Sequence, residues 1–405
     1  MNIQYLMLKF PHLPEQIFQK LDNESLFKSR EVSESWKNVI DGRNYPWLRI
    51  VDIPTILNNG NTYLHLAAKT GQIETYKKAL VGEEDKNIRN ECEETSFILA
   101  CKNGRFQVVQ LLLNNIDLEF NPNSKTKKGS TAFQWACIKG HSGIIKLLIE
   151  NAAALSIDCS ARNESGKTAF HLACERGHSD LVKILMENKS ILSLDLNAKT
   201  KSGNTAFHWA CIKGHTDVID IFMENAVALG IHLNAKTKNG KTAYHLACQK
   251  GHSDVVKILT ENASILSLDL NAKTKNGNTA FYLACQVGHS DVVKIFMQNV
   301  ADFSIDFNAA DNNGYTAFHA ACLDGHADII KILIQNAAID LNAKINIGQT
   351  AFSLACDGGH ADVVKLFIQN AADLSIDLNT EDLDGLTGFH CAWKRGNADI
   401  VKWSI

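Results

Sequence analysis

The chain has 405 residues, 45% of them hydrophobic and 21% charged, with a net charge of −3. Such a balance suits a chain that folds and gives no bulk case for a nucleic acid or an anionic membrane as partner. No run approaches the roughly 18 apolar residues of a membrane span, and Met1 to Phe10 lacks the apolar core and small-residue cleavage site of a signal peptide.

The first helix is expected after Pro14, whose missing amide costs nothing at a helix start. Ile17, Phe18 and Leu21 recur at helical spacing, Asp22-Asn23 interrupts, and Leu26 and Phe27 belong to a second short helix. Ser33 can cap a third, with Trp36, Val39 and Ile40 on one face. Three helices in so short a stretch bury little surface, so the unit should lean on the rest of the chain or on a partner. Pro46 and a change of pattern set its end near residue 50. In order, Leu13-Pro14-Glu15, Ile17-Phe18, Leu21-Asp22, Leu26, Val32-Ser33 and Trp36 resemble an F-box, although the spacing between Pro14 and Ile17 is shorter than in that family. The resemblance implies docking to the Skp1-like adaptor of a cullin-RING ubiquitin ligase, with Leu13, Pro14, Ile17, Leu21, Leu26, Val32 and Trp36 forming or supporting the interface. The other reading of the same residues is a helical cap shielding the remainder of the chain, with no ubiquitin role.

From residue 51 onward the chain repeats itself. A threonine anchors each copy, at Thr131, Thr168, Thr205, Thr242, Thr279, Thr316 and Thr350, in steps of 37 residues and finally 34. Fainter copies at Thr62, Thr95 and Thr387 bring the total to ten. A fixed period of this length marks a stacked array instead of one globular core. Each copy reads as a tight turn (Asn239-Gly240), a short threonine-capped helix (Thr242 to Cys248), a glycine break (Gly251) and a second helix carrying Val255, Val256, Ile258 and Leu259.

Eight cysteines share one repeat position, from Cys101 through Cys137, Cys174, Cys211, Cys248, Cys285 and Cys322 to Cys356. Stacked helices lie about 8–10 Å apart, wider than the roughly 7 Å that a disulfide spans. The column therefore reads as small buried thiols in a reducing compartment, cytoplasmic or nuclear. Recurrence likewise argues against chemistry at the histidines, because a catalytic histidine needs one specific neighbourhood, not a copy per repeat. No enzyme, metal or cofactor is expected.

The Thr-Ala-Phe-His tetrapeptides ending at His171, His208 and His319, Thr-Ala-Tyr-His at His245 and the Gly-His pairs resemble the ankyrin repeat. That resemblance implies an all-α solenoid of about ten repeats over residues 51–405, the last one truncated, preceded by the F-box-like unit at 1–50. It also implies that partners bind at the turn tips and inner helices. The tips at Lys199, Lys201, Lys236, Lys238, Lys273 and Lys275 are basic, the pattern breaks at Asp311-Asn312-Asn313, and the last tip is acidic at Glu381, Asp382 and Asp384. An acidic or phosphorylated target segment is therefore expected on those six lysines. Trp135 and Trp209 replace the usual leucine and are expected to pack in the interior. Taken together, these features lead to the expectation of a substrate-recognition subunit of a Skp1–cullin–RING ligase. The alternative is an ankyrin scaffold or inhibitor without a ligase role.

Overall fold

The computed structural model describes residues 58–82, 86–114, 120–298 and 305–403. The expected F-box-like unit, with Leu13, Pro14, Ile17, Leu21, Leu26, Val32 and Trp36, lies outside the described residues. The chain divides into two compact units, Met1–Glu164 and Ser165–Ile405.

Among the described residues the helices come in pairs, a short inner helix and then an outer one. The first unit holds α1 (Tyr63–Thr70) and α2 (Ile73–Gly82), α3 (Ser96–Lys102) and α4 (Phe106–Asn114), and α5 (Ala132–Lys139) and α6 (Ser142–Glu150). The second holds α7 (Ala169–Arg176) and α8 (Ser179–Glu187), α9 (Ala206–Lys213) and α10 (Thr216–Leu229), and α11 (Ala243–Lys250) and α12 (Ser253–Glu261). It continues with α13 (Ala280–Val287) and α14 (Ser290–Gln298), then α15 (Ala317–Leu323) and α16 (Ala327–Leu333). The unit closes with α17 (Ala351–Gly358) and α18 (Ala361–Asn370), and α19 (Gly388–Arg395) and α20 (Ala398–Val401). No strand occurs among the described residues beyond an isolated bridge between Lys344 and Thr350. Thr62, Thr95 and Thr387 of the fainter copies each cap an inner helix through their side chains.

The local sequence explains each pair. The threonine is extended and its hydroxyl accepts the amide three residues on, satisfying one of the orphan donors at a helix start. A glycine in the left-handed region then ends the helix, as at Gly177, Gly214 and Gly251. Alanine and cysteine line the inner face, with Ala243, Ala247 and Cys248 fully buried, so successive inner helices approach closely. All eleven cysteines are free thiols, and only Cys92 is exposed.

One buried column lies within the short threonine-capped helices, among the alanines and the cysteine. Its aromatic, Tyr244 in one repeat and phenylalanine in the neighbours, is buried and forms a seam between inner and outer helices. Phe207 and Phe170 meet Phe222 at ring separations of 5.0 and 5.9 Å, and Phe281 and Tyr244 meet Phe296 at 5.1 and 5.9 Å. Burying one such ring stabilises by about 1.5–3 kcal/mol, so this column contributes more per residue than the small alanines beside it.

The residues that lengthen the repeat past an ordinary helix pair have a defined shape. Ser193, Gly230 and Ser267 occupy the same repeat position, all with φ between 49° and 65°. In one repeat the extra residues prolong α10, which Gly230 terminates. An asparagine of the preceding repeat grips the loop. Asn197 Nδ2 donates to the Gly230 carbonyl at 2.8 Å while its Oδ1 accepts the His232 amide at 2.8 Å. Asn234 repeats this with Ser267 at 2.7 Å and Asp269 at 3.0 Å.

The turn tips are hooked together by their backbones. The amides of Lys201, Lys238 and Lys275 donate to the carbonyls of Ser165, Ser202 and Asn239, each at 3.1 Å. Glycine is required under this contact: at Gly240 (φ +78°) an added Cβ would stand 2.8 Å from the Lys275 amide nitrogen. Gly240→Ala is expected to cost about 1–3 kcal/mol, from the left-handed backbone and the lost approach together. Urea unfolding monitored by circular dichroism checks this, and an unchanged midpoint would contradict the role given to the glycine.

Candidate protein-binding surface

Two recurring histidines set the scaffold on which any binding residue is displayed. The first lies in the inner helix. The Thr205 amide donates to Nδ1 of His208 at 3.2 Å, and Thr205 Oγ1 lies 2.8 Å from the same nitrogen. With Nδ1 an acceptor, the proton must sit on Nε2, which donates to the Lys241 carbonyl of the following repeat at 3.3 Å. His171, His245 and His319 repeat the arrangement toward Asn204, Asn278 and Ala343. The second histidine, from the Gly-His pair, reaches backwards. His215, His252, His289 and His326 bond through Nε2 to the carbonyls of Glu175, Ile212, Gln249 and Gln286, at 2.8–3.0 Å. A repeat that carries both is tied forward by one imidazole and backward by the other.

Burial, the largest cause, pushes His208 and His245 down to about 4. His65 and His319 are also lowered, again first by burial. The same burial raises the column thiols; Cys159 beside them is pushed up to about 12. In the first unit Gln134 takes the histidine's place, its Oε1 accepting the Thr131 amide at 3.1 Å and its Nε2 donating to the Ala161 carbonyl at 2.7 Å. An amide can therefore do the same two-ended work without titrating.

The six lysines expected to bind a partner separate into two columns, all of them exposed. In one column Lys199 Nζ donates to the Lys236 carbonyl at 3.0 Å, Lys236 Nζ to the Lys273 carbonyl at 3.4 Å, and Lys273 Nζ to the Ala310 carbonyl at 2.9 Å. These lysines tie repeat to repeat. In the other column, Lys201, Lys238 and Lys275 use their backbone amides in the tip contacts, and their ammonium groups have no hydrogen-bond partner among the described residues. The acidic tips are equally divided. Asp311 accepts the Asn313 and Tyr315 amides, both at 2.8 Å, and Asp382 accepts those of Asp384 and Leu386 at 3.0 and 2.9 Å. Both aspartates stand where the basic tips use a threonine, as Thr237 does in accepting the Lys241 amide. They build the turn first and contribute charge second.

Behind the tips, in three repeats the residue before the capping threonine faces the one eight positions later. Lys167 and Glu175 form an ion pair at 2.7 Å with side chains only 13% and 14% exposed, and the Lys167 ammonium sits 3.5 Å from the centre of the Trp209 ring. The first unit holds the same pair with its charges exchanged, Glu94 and Lys102 at 2.7 Å, with Lys102 over Trp135 at 4.4 Å. Lys241 donates to Gln249 Oε1 at 2.8 Å, and burial first, then Lys250, holds its ammonium below the usual lysine range. Both tryptophans are half-buried and covered on one face by a cation, so the expectation of plain interior packing is amended. Sequence reasoning missed this pair of positions and the asparagine ladder. The recurrence of Asn-Ala before each tip was visible, but it reads as ordinary turn composition.

No group of three or more His, Cys, Asp or Glu among the described residues could hold a metal ion, and no described helix is long and apolar enough to cross a membrane.

The family model for ankyrin repeats (3 copies) matches residues 46–121, 116–193, 189–269, 262–345 and 339–403, and the chain belongs to that family. Among curated proteins, one named E3 ubiquitin-protein ligase XBAT33, from Arabidopsis thaliana, is 35% identical over 92 residues, which is 22% of this chain and 17% of that protein. This finding corrects the expected substrate-recognition subunit of a Skp1–cullin–RING ligase. The ubiquitin link is to a protein named as a ligase itself, not to an F-box receptor. The physical reason for the miss is that an F-box pattern is a sparse set of apolar residues at helical spacing, which many short amphipathic helices satisfy.

The histidine geometry gives a pH prediction. Above about pH 6.5 the inner-helix histidines are neutral whether folded or not, and contribute no pH dependence. Below it, the unfolded chain binds protons that His208 and His245 refuse until about pH 4, so stability falls through that window. At about 1.36 kcal/mol per pKa unit, each site accounts for up to about 3 kcal/mol. His208→Gln, which copies Gln134, should flatten its share of that loss in urea titrations at pH 7 and pH 4.5; an undiminished pH slope would contradict the assignment.

Proposed function

We propose that the chain is a non-catalytic protein-binding module whose second unit takes an acidic or phosphorylated segment of a partner along its basic turn tips. The observation that carries this reading is the column of Lys201, Lys238 and Lys275, whose ammonium groups remain uncommitted while the neighbouring column is spent on the stack. Charges repeated at about the Debye length at physiological salt add to a common field, and the ordered backbone beneath them lowers the entropy that this chain itself must give up on binding. The buried free thiols suit a reducing compartment, cytoplasm or nucleus. A second reading, supported by the partial likeness to XBAT33, sets the same binding in the ubiquitin pathway.

Reversing Lys201, Lys238 and Lys275 to glutamate should lower affinity for a phosphorylated or glutamate-rich peptide at least tenfold, with unchanged helicity. Affinity of the unaltered protein should fall as salt rises. Fluorescence anisotropy at two ionic strengths measures both, and equal binding by the reversed protein would remove the proposal. If the ubiquitin setting is correct, the same reversal lengthens the cellular half-life of a captured protein.

A further inference from the structure

The uncommitted lysines are also a ruler. Each is three residues before the threonine-preceding position of its repeat, and each has its backbone clamped to the turn before it by the amide bonds to Ser165, Ser202 and Asn239 at 3.1 Å. The clamp is close: a Cβ at Gly203 would stand 2.7 Å from the Lys238 amide nitrogen, and one at Gly240 2.8 Å from that of Lys275. The spacing of the three side chains is therefore the stacking distance of the inner helices, about 8–10 Å. The column ends there, because the same position holds Asn312, Asn346 and Leu383 in later repeats.

Few chain conformations present side chains at that pitch along one face. A β-strand repeats on one face every two residues, about 6.6–6.8 Å, and the residue at i+3, about 10 Å along, points to the opposite face. A polyproline II helix has three residues per turn and about 3.1 Å rise per residue, so positions i, i+3 and i+6 lie on one face about 9.3 Å apart. An α-helix reaches about 10.5 Å only at i+7, and holding one needs an apolar groove for its other contacts. The ridge between the lysines offers none: Ser202, Asn239 and Asn276 are polar and exposed. Those same groups suit polyproline II, whose backbone amides and carbonyls are unsatisfied internally.

We propose, resting on the acidic-segment reading above, that the ligand of this column is a polyproline II segment carrying acidic groups at i, i+3 and i+6, one for each of Lys201, Lys238 and Lys275. Lys199, Lys236 and Lys273 keep the pitch, and the three uncommitted lysines read it. The specificity is one of spacing and charge, indifferent to the residues between the acids.

The test uses three labelled peptides of equal length and net charge, each with three glutamates, set among prolines and alanines in the first two and among alanines in the third. The glutamates stand at i, i+3, i+6 in the first, at i, i+1, i+2 in the second, and at i, i+7, i+14 of an alanine-rich helical sequence in the third. Binding to the full chain is read by anisotropy at low salt. The first peptide should bind at least fivefold more tightly than either of the others. Lys238→Gln, which removes the middle reader and leaves its backbone clamp, should abolish that preference, whereas Lys236→Gln should retain it. Equal affinity for all three peptides overturns the register and leaves the acidic-segment reading standing. Tighter binding of the third peptide overturns the polyproline II form. Failure of all three to bind overturns the acidic-segment reading and the register with it.

Discussion

Four repeats of the second unit hang on an imidazole that accepts at one nitrogen and donates at the other. In four repeats of the second unit, the inner-helix histidine accepts on Nδ1 from the capping threonine's amide and donates from Nε2 to the next repeat's turn, as His171 does to Asn204 and His245 to Asn278. A proton on Nδ1 would set a donor against a donor. The bond closes a helix start and joins two repeats at once, so local capping and long-range stacking are one interaction. That coupling is how short helices of seven or eight residues, marginal alone, become rigid.

Around that bond the protein duplicates its ties. The Gly-His imidazole reaches back to the preceding inner helix, an asparagine holds the following loop, and one lysine column donates to the next turn's carbonyls. Each is polar, yet each is spent on architecture. Charge counting along the tips therefore overestimates what is available to a partner. Of two lysines separated by one threonine, the first supports the stack and the second faces solvent. The acidic tips show the same division, since Asp311 and Asp382 close their own turns. The scaffold leaves the ammonium groups of Lys201, Lys238 and Lys275 unconsumed, whereas Lys167 is paired with Glu175 and sits over the Trp209 ring.

Much of this was legible beforehand. The threonine period marked the repeat boundaries even for the faint copies at Thr62 and Thr387, because capping depends on a single residue and its third neighbour. Cysteine and alanine burial could be inferred from recurrence at one helical position. Tyr244 was missed because an aromatic beside a polar histidine reads as the outer edge of a short helix, when the packing of the second helix covers it. The expected substrate-recognition subunit was corrected for the opposite reason: a few apolar residues at helical spacing carry too little information to name a function.

The sequence by itself determined the repeat, its helix caps, its buried thiols and its family, because these depend on contacts within one copy or on a pattern that recurs every copy. Which polar groups are free was decided only by the tertiary structure. Lys199 and Lys201 are chemically identical and two residues apart, and nothing in their order distinguishes them. Stacking does, by bringing a carbonyl 37 residues further along the chain within 3.0 Å of one ammonium and leaving the other in solvent.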